Sequence, residues 1–155
     1  GREVGRLAEA FGCEVVYYST SGTKREESYP KVELEELLTS SDIVSIHCPL
    51  NERTAGLIGK EELAKMKSSA ILINVARGGI VDEAALAEAL DKGIIRGAAL
   101  DVFSSEPLRE SPLYNIKDKY RLLASPHNAW SSVEAIDRLI GCIAQNIAEY
   151  VQEHR

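Results

Sequence analysis

The sequence predicts an α/β domain built on a doubly wound, mostly parallel sheet. Short apolar runs alternate with helical patterns along the 155 residues. This alternation is typical of βαβ units with right-handed crossovers. Residues 70–75 read AILINV, a run that is continuous rather than alternating and so indicates a strand buried on both faces. Neither an internal repeat nor a break in composition divides the sequence, so we expect one domain.

Apolar runs predict the strands, and polar or proline-containing segments end them. Ser19 follows the first strand and Pro49 lies just beyond the second. The strands are expected at residues 13–18, 42–47, 70–75, 97–102 and 121–124.

Apolar residues at helical spacing predict the helices. Gly12 suits the position after the first helix, Asp82 suits the N-cap of the fourth, and Gly93 ends that fourth helix. The last helix has an apolar stripe along its whole length. The helices are expected within residues 1–12, near 34–38, at 60–67, at 83–92 and from 132 to about 153.

Composition excludes several classes of function. The net charge is −6 and no stripe of Lys and Arg occurs, which argues against a nucleic-acid partner. No apolar run reaches membrane-spanning length, so no membrane partner is expected. The three cysteines are far apart and lack metal-ligand spacing. They therefore predict reduced thiols in a cytoplasmic protein and no metal site.

The segment around Arg77 organises the sequence. A buried strand ends in Arg77, Gly78 and Gly79, and a helix then begins after Asp82. Arg77 is therefore expected just beyond the carboxyl end of a parallel strand, where ligands bind in open α/β sheets. From this stretch alone, a solvated arginine in a glycine-rich loop is an equally good interpretation.

Three motifs in this order carry a resemblance to a known family. They are residues 73–82 (INVARGGIVD), residues 99–103 (ALDVF) followed by Glu106 and Pro107, and residues 125–127 (SPH). With them, the chain resembles the nucleotide-binding domain of the D-isomer-specific 2-hydroxyacid dehydrogenases. Residues 17–22 and Trp130 are most similar to glycerate dehydrogenases, also called hydroxypyruvate reductases.

The resemblance implies a partial Rossmann-type domain spanning residues 1–155. Gly1 matches the third glycine of the phosphate-binding GxGxxG signature. The chain is then expected to lack the first, central strand of the sheet and the family's substrate-binding domain. By itself it is expected to be inactive.

The resemblance also implies the chemistry, which is hydride transfer between a nicotinamide and C2 of a small 2-keto or 2-hydroxy acid. Arg77 would bind the substrate carboxylate through its planar fork. His127 would exchange a proton with the C2 oxygen, and Glu106 would hydrogen-bond the imidazole and favour its protonated form. Without the resemblance, a structural histidine is the more common interpretation of His127.

The resemblance further assigns residues to a cofactor, NAD or NADP. Asp101 would face the nicotinamide, although capping of the next turn competes with that role. NAD-specific members have an acidic residue where this chain has Ser19, and a serine does not repel the 2′-phosphate of NADP. Lys24 and Arg25 could add positive charge, or could simply be solvated. The predicted cofactor-binding residues are Gly1, Ser19, Pro49, Thr54, Val75, Ala76 and Asp101.

Two other functions share this resemblance. Formate dehydrogenases have a glutamine in place of the glutamate, so Glu106 argues against them. Dinucleotide-sensing corepressors retain the Arg, Glu and His set, and the motifs do not exclude them. A homodimer is expected from the family and from the apolar stripe of the last helix. Trp130 is expected to pack beneath that helix or to line a substrate pocket.

Overall fold

The computed structural model describes residues 1–22 and 28–154. Helices and strands alternate, as predicted, and the strands are short. The elements are α1 (Arg2–Ala10), α2 (Leu34–Ser40), β1 (Ile43–Ile46), α3 (Lys60–Lys65), β2 (Ile71–Asn74), α4 (Glu83–Lys92), β3 (Gly97–Leu100), two 3₁₀ turns (Pro112–Asn115 and Lys119–Arg121), β4 (Leu122–Ala124) and α5 (Val133–Glu153).

The four strands form one parallel sheet in the order β1-β2-β3-β4, which confirms the predicted α/β fold. In this sheet Asn74 is level with Leu100, and Leu100 is level with Ala124. The last residues of β2, β3 and β4 therefore lie side by side, and the loops that follow them start from the same edge.

Alternate side chains of the strands pack against helices α3 and α4 to form the core. Leu72 of β2, Leu86 of α4 and Leu63 of α3 are almost completely buried there. The limits of α4 follow its sequence signals. Asp82 accepts hydrogen bonds from the amides of Ala84 and Ala85, and Gly93 ends the helix with a left-handed φ of 66°.

The predicted strand at residues 13–18 does not form, which corrects the sequence-based expectation. Its backbone makes an isolated bridge in which the Tyr17 amide donates to the Pro30 carbonyl and the Val32 amide donates to the Tyr17 carbonyl. A strand requires a ladder of such bonds with a neighbouring strand. Within the described residues, β1 is paired on one side only, with β2. The expected central strand beside it stays a prediction.

Helix α5 has the predicted length but leaves its apolar stripe exposed. Leu139, Ile140, Ile143 and Ile147 are each about half exposed. A contiguous apolar stripe that is exposed on a helix marks a contact surface. Across the described part of the chain, no helix combines the length and the apolar character needed to cross a membrane.

Candidate active site at the carboxyl edge of the sheet

Three loops leave the aligned ends of β2, β3 and β4. They carry Arg77, Glu106 and His127 respectively. Because the three strands are parallel and level at their ends, the loops meet on one edge of the sheet. The structure thus gathers the three predicted catalytic residues on the side where ligands bind in this class of fold.

Glu106 and His127 are in direct contact. His127 Nδ1 lies 2.6 Å from Glu106 Oε2, and both side chains are a little over one-third exposed. The hydrogen bond from His127, together with the one that the Phe103 amide donates to Glu106 Oε1, holds the pKa of the Glu106 carboxyl below its usual value. An ionised carboxylate only accepts hydrogen bonds, so Nδ1 carries the proton of this contact and Nε2 is directed away from it.

His127 has an unusual backbone conformation for a residue with a side chain. Its φ is 53°, in the left-handed region, which costs free energy unless the surroundings hold it. The amide of His127 donates to the Ser125 carbonyl, and the Trp130 indole donates to the His127 carbonyl at 2.9 Å. Trp130 is itself more than half exposed. It therefore supports the His127 backbone, and its place beneath α5 or in a substrate pocket stays a prediction.

Asp101 fastens the loop that carries His127. Its buried carboxylate accepts from the Ser125 hydroxyl at 2.7 Å and from the amides of Asn128 and Ala129 at 3.0 and 2.9 Å. Burial alone would raise the pKa of the Asp101 carboxyl, but these hydrogen bonds outweigh burial and the pKa lies below its usual value. The capping role considered for Asp101 is therefore present, and its predicted contact with nicotinamide stays a prediction.

Arg77 is presented by a loop that Asn74 shapes. The buried Asn74 side chain accepts from the Ala76 amide at 3.0 Å and donates to the Arg77 carbonyl at 2.9 Å. The exposed Arg77 side chain donates to the Ala76 carbonyl. A planar guanidinium in this position can bind a carboxylate in bidentate fashion.

Gly78 brings the Arg77 loop against the Glu106 loop. A Cβ atom at Gly78 would lie 1.8 Å from the Phe103 carbonyl oxygen and 2.7 Å from the Ser104 amide nitrogen. No residue with a side chain can make this approach without moving one of the two loops. The two loops are therefore in backbone contact directly beside Arg77.

The predicted cofactor residues around β1 and β2 differ in accessibility. Pro49 is exposed, and Val75 is 40% exposed. Thr54 is fully buried, and its hydroxyl donates to the Pro49 carbonyl at 2.6 Å and accepts from the Asn51 amide at 2.8 Å. The structure thus gives the Thr54 side chain a role inside the turn and leaves Pro49 as the accessible member of the pair.

The remaining predicted cofactor residues lie near the start of the chain and after β2. A Cβ at Gly1 would lie 3.3 Å from the His47 side chain, so a glycine fits the close approach of α1 to the end of β1. Ser19 is half-buried, with its hydroxyl 3.1 Å from that of Ser21. The Ala76 carbonyl accepts from Arg77. Lys24 and Arg25 lie outside the described residues.

A small cleft of about 130 Å³ opens beside these loops. Val75 and Ala129 line it on the loop side, together with Asp101 and Ser125. Strand residues Ala99, Leu100 and Leu123 complete the lining. The lining is mostly apolar, and the buried Asp101 carboxylate lies at its edge.

Sequence reasoning missed two residues that organise this edge. Asn74 holds the backbone of the Arg77 loop, and Glu83 accepts from the Ser104 amide and the Ser111 hydroxyl. Neither residue was expected to do so. A signal was present for Asn74, because a polar residue at the end of an otherwise apolar buried run needs hydrogen-bond partners. For Glu83, only the three-dimensional structure brings its partners within reach.

Comparisons with known proteins agree with this architecture. A family model described as the NAD binding domain of D-isomer specific 2-hydroxyacid dehydrogenases matches residues 1–129. The chain is 41% identical to a glycerate dehydrogenase of Methylorubrum extorquens over 97% of its length and 46% of the relative's length. It thus spans about half the length of that relative.

Solved structures are similar over almost the whole chain. A glyoxylate reductase from Paecilomyes thermophila superposes with a TM-score of 0.88 at 34% identity, covering 100% of this chain and 47% of that protein. A D-lactate dehydrogenase from Aquifex aeolicus, complexed with NAD and lactic acid, superposes with a TM-score of 0.89 at 28% identity, covering 99% of this chain and 50% of that protein. These structures confirm the Rossmann-type fold.

The contact at Gly78 predicts a large effect of a single methyl group. Gly78→Ala in the intact protein should lower the free energy of unfolding by about 1–3 kcal/mol or more, because the Phe103 backbone must move. Gly141→Ala is the matched control. It lies inside α5 with nothing within 4 Å, so it should stabilise by about 0.5–1 kcal/mol. Equal denaturation midpoints for the two variants would contradict the contact.

Asp101 predicts a pH-dependent contribution to stability. Its folded-state pKa is depressed, so the carboxylate stabilises the fold above the unfolded pKa, and this contribution is lost as the pH falls through the folded pKa. Asp101→Asn should cost about 1.5–3 kcal/mol at neutral pH. The difference in the free energy of unfolding between Asp101→Asn and the wild type should shrink below about pH 3.9.

Urea denaturation of the intact protein between pH 3 and 7 measures this dependence. Asp137→Asn replaces an exposed carboxylate on α5 and serves as the control, with a curve that follows the wild type. A constant difference between Asp101→Asn and the wild type at every pH would show that ionisation of Asp101 contributes nothing.

Proposed function

Because this chain belongs to the D-isomer specific 2-hydroxyacid dehydrogenases, as their NAD binding domain, we propose that the intact protein is an NAD(P)-dependent oxidoreductase. Its substrates are small 2-keto and 2-hydroxy acids such as hydroxypyruvate, D-glycerate or glyoxylate. The observation that carries the proposal is the contact between His127 and Glu106 on the carboxyl edge of the sheet, 2.6 Å apart.

The residues fit a dinucleotide. The bare Gly1 approaches the end of β1 closely enough that a side chain would crowd His47, and the amides that begin α1 suit a phosphate. Pro49, Val75 and Ala76 would hold the adenosine and nicotinamide sides, and Asp101 would face the nicotinamide from the cleft that it lines. When bound, the cofactor supplies or accepts the hydride.

His127 acts as the general acid and base. Its Nδ1 is committed to Glu106, so Nε2 is the atom that gives a proton to the substrate oxygen during reduction and takes it back during oxidation. The ionised Glu106 stabilises the imidazolium before the transfer and fixes the orientation of the ring. A glutamine would supply no such charge, and Glu106 therefore favours this chemistry over formate oxidation.

Arg77 binds the substrate carboxylate. Its exposed guanidinium offers two parallel N–H donors to a planar acid group. Asn74 limits the freedom of the loop by holding both the Ala76 amide and the Arg77 carbonyl. A substrate held through its carboxylate therefore meets His127 in a restricted orientation.

The test is a substrate panel on the intact protein. His127→Ala should lower kcat/KM for keto-acid reduction by about 10²–10⁴ and should leave the Kd of the cofactor almost unchanged. His154→Ala is the matched control, since that residue caps the distant end of α5 and should retain wild-type rates. Glu106→Gln should move the high-pH limb of reduction to lower pH, because the imidazolium loses its negative partner.

Two outcomes would contradict the proposal. Turnover of none of the 2-keto acids by a protein that binds the dinucleotide would favour the corepressor-type alternative. An unchanged pH limb in Glu106→Gln would remove Glu106 from its assigned role.

We further infer that the protein accepts NADP at least comparably with NAD. Ser19 lies where an acidic residue discriminates against the 2′-phosphate of NADP, and it carries no negative charge. The ratio of kcat/KM for NADH to that for NADPH should stay below about 100, which corresponds to about 2.7 kcal/mol. Ser19→Asp should raise this ratio and Ser19→Asn should not, because only the aspartate is charged. A wild-type ratio above 100 would contradict the inference.

We also infer that the intact protein is a homodimer. The apolar stripe of α5, with Leu139, Ile140, Ile143 and Ile147 about half exposed, needs a cover, and a second copy supplies an equal stripe. Sedimentation velocity over a hundredfold range of concentration should show a dimer. A monomer throughout that range would mean that the remainder of the protein covers α5.

We infer a cytoplasmic location for the intact protein from its cysteines. Cys13 and Cys142 are exposed thiols, and Cys48 is half-buried and also free. Exposed free thiols persist in reducing compartments.

A further inference from the structure

One carboxylate holds both ends of the segment that carries Glu106. Glu83, the first residue of α4, accepts from the Ser104 amide through Oε1 at 2.7 Å. Its other oxygen, Oε2, accepts from the Ser111 hydroxyl, also at 2.7 Å. The two ends of segment 104–111 are therefore fastened to the same point on a helix whose opposite face lies in the core.

Two hydrogen bonds orient the Glu106 side chain. It is about one-third exposed, and its hydrogen bonds are to the Phe103 amide and to the imidazole of His127. Its position relative to His127 therefore depends on the path of the backbone from Phe103 onward. The contact between Glu83 and the Ser104 amide constrains that path.

The far end of the segment is fastened as firmly as the near end. Ser111 is buried, and its hydroxyl donates to Glu83 while it accepts from the Leu113 amide at 3.3 Å. On the near side, the Phe103 carbonyl lies against Gly78. Loss of Glu83 would leave the Gly78 contact in place but release both Ser104 and Ser111.

We propose that Glu83 is a positioning residue for the pair formed by Glu106 and His127, an inference that rests on the proposed function of that pair. By holding Ser104 and Ser111 together, Glu83 keeps the Glu106 carboxylate where it reaches Nδ1 of His127. Without it, segment 104–111 gains freedom, Glu106 leaves the imidazole, and the protonated donor loses its support.

A purely structural role for Glu83 predicts something different. An acidic residue in the first turn stabilises a helix through its dipole, and loss of Glu83 would then lower stability without altering Glu106. Asp82→Ala isolates this effect, because it removes the neighbouring N-cap of the same helix at a cost of about 0.5–2 kcal/mol. Among the described residues, the Asp82 side chain accepts hydrogen bonds from the amides of Ala84 and Ala85 and from none in segment 104–111.

The experiment measures the pKa of Glu106 directly. The intact protein carries ¹³C-labelled glutamate carboxyls, the Glu106 signal is assigned with Glu106→Gln, and the signal is titrated by NMR. His127→Ala supplies the reference shift, since the hydrogen bond from His127 is the largest cause of the lowered Glu106 pKa. Glu83→Ala should raise the Glu106 pKa by at least half of that reference shift, and Asp82→Ala should leave it at the wild-type value.

A smaller shift in Glu83→Ala, or an equal shift in Asp82→Ala, would overturn the proposal. If Glu83→Ala does not fold, Glu83→Asp is judged by the same criterion. It keeps the charge at the start of α4 but is one methylene shorter, and so cannot span both Ser104 and Ser111.

Kinetics provide the second measurement. Glu83→Ala should lower kcat for keto-acid reduction by roughly 10–100-fold, the order expected for a misplaced catalytic group, with the KM for the cofactor unchanged. The NMR titration needs no turnover. A shift in Glu106 without any reductase activity in the wild type would therefore support the positioning role while rejecting the proposed function. Reductase activity in the wild type, together with an unchanged Glu106 pKa in Glu83→Ala, would support the proposed function while rejecting the positioning role.

Discussion

Level pairing of β2, β3 and β4 is the constraint from which the candidate site follows. Asn74, Leu100 and Ala124 lie abreast in the sheet, so three loops begin within two strand spacings of one another. Arg77, Glu106 and His127 sit on those loops. A slip of one residue in any pair would turn that strand's side chains to the opposite face and disrupt both the core and the start of the loop.

The strand ends determine where the loops begin, and hydrogen bonds from polar side chains then hold the loop backbone. Asn74, Asp101 and Glu83 each bind amides or hydroxyls of a loop that carries a proposed catalytic residue. Burying such groups is costly unless they are hydrogen-bonded, and no buried side-chain nitrogen or oxygen among the described residues lacks a partner. The Asp101 hydrogen bonds to Ser125, Asn128 and Ala129 flank His127, whose backbone is left-handed and needs surrounding contacts to offset its cost.

The residues of the site therefore differ in solvent exposure according to their proposed role. The proposed reacting groups, Arg77, Glu106 and His127, are at least partly open to solvent. The groups that orient them, Asn74 and Asp101, are buried. Buried carboxylates and amides make strong, well-directed hydrogen bonds because water does not compete for them. Rigid support beneath an accessible surface is the arrangement that proton transfer to a small substrate requires.

The sequence by itself determined the alternation of strands and helices, the limits of α4 at Asp82 and Gly93, and the candidates Arg77, Glu106 and His127, because these depend on short-range patterns and local motifs. Tertiary structure alone decided which distant groups meet. Glu83 lies 21 residues from Ser104 and 28 from Ser111, and no local pattern records such a distance. It also decided that residues 13–18 form only a bridge, since a strand exists only through its neighbours. It likewise decided that the Thr54 hydroxyl is buried against the Pro49 carbonyl and that the Trp130 indole donates to the His127 carbonyl, because burial and hydrogen-bond partners are properties of the folded chain.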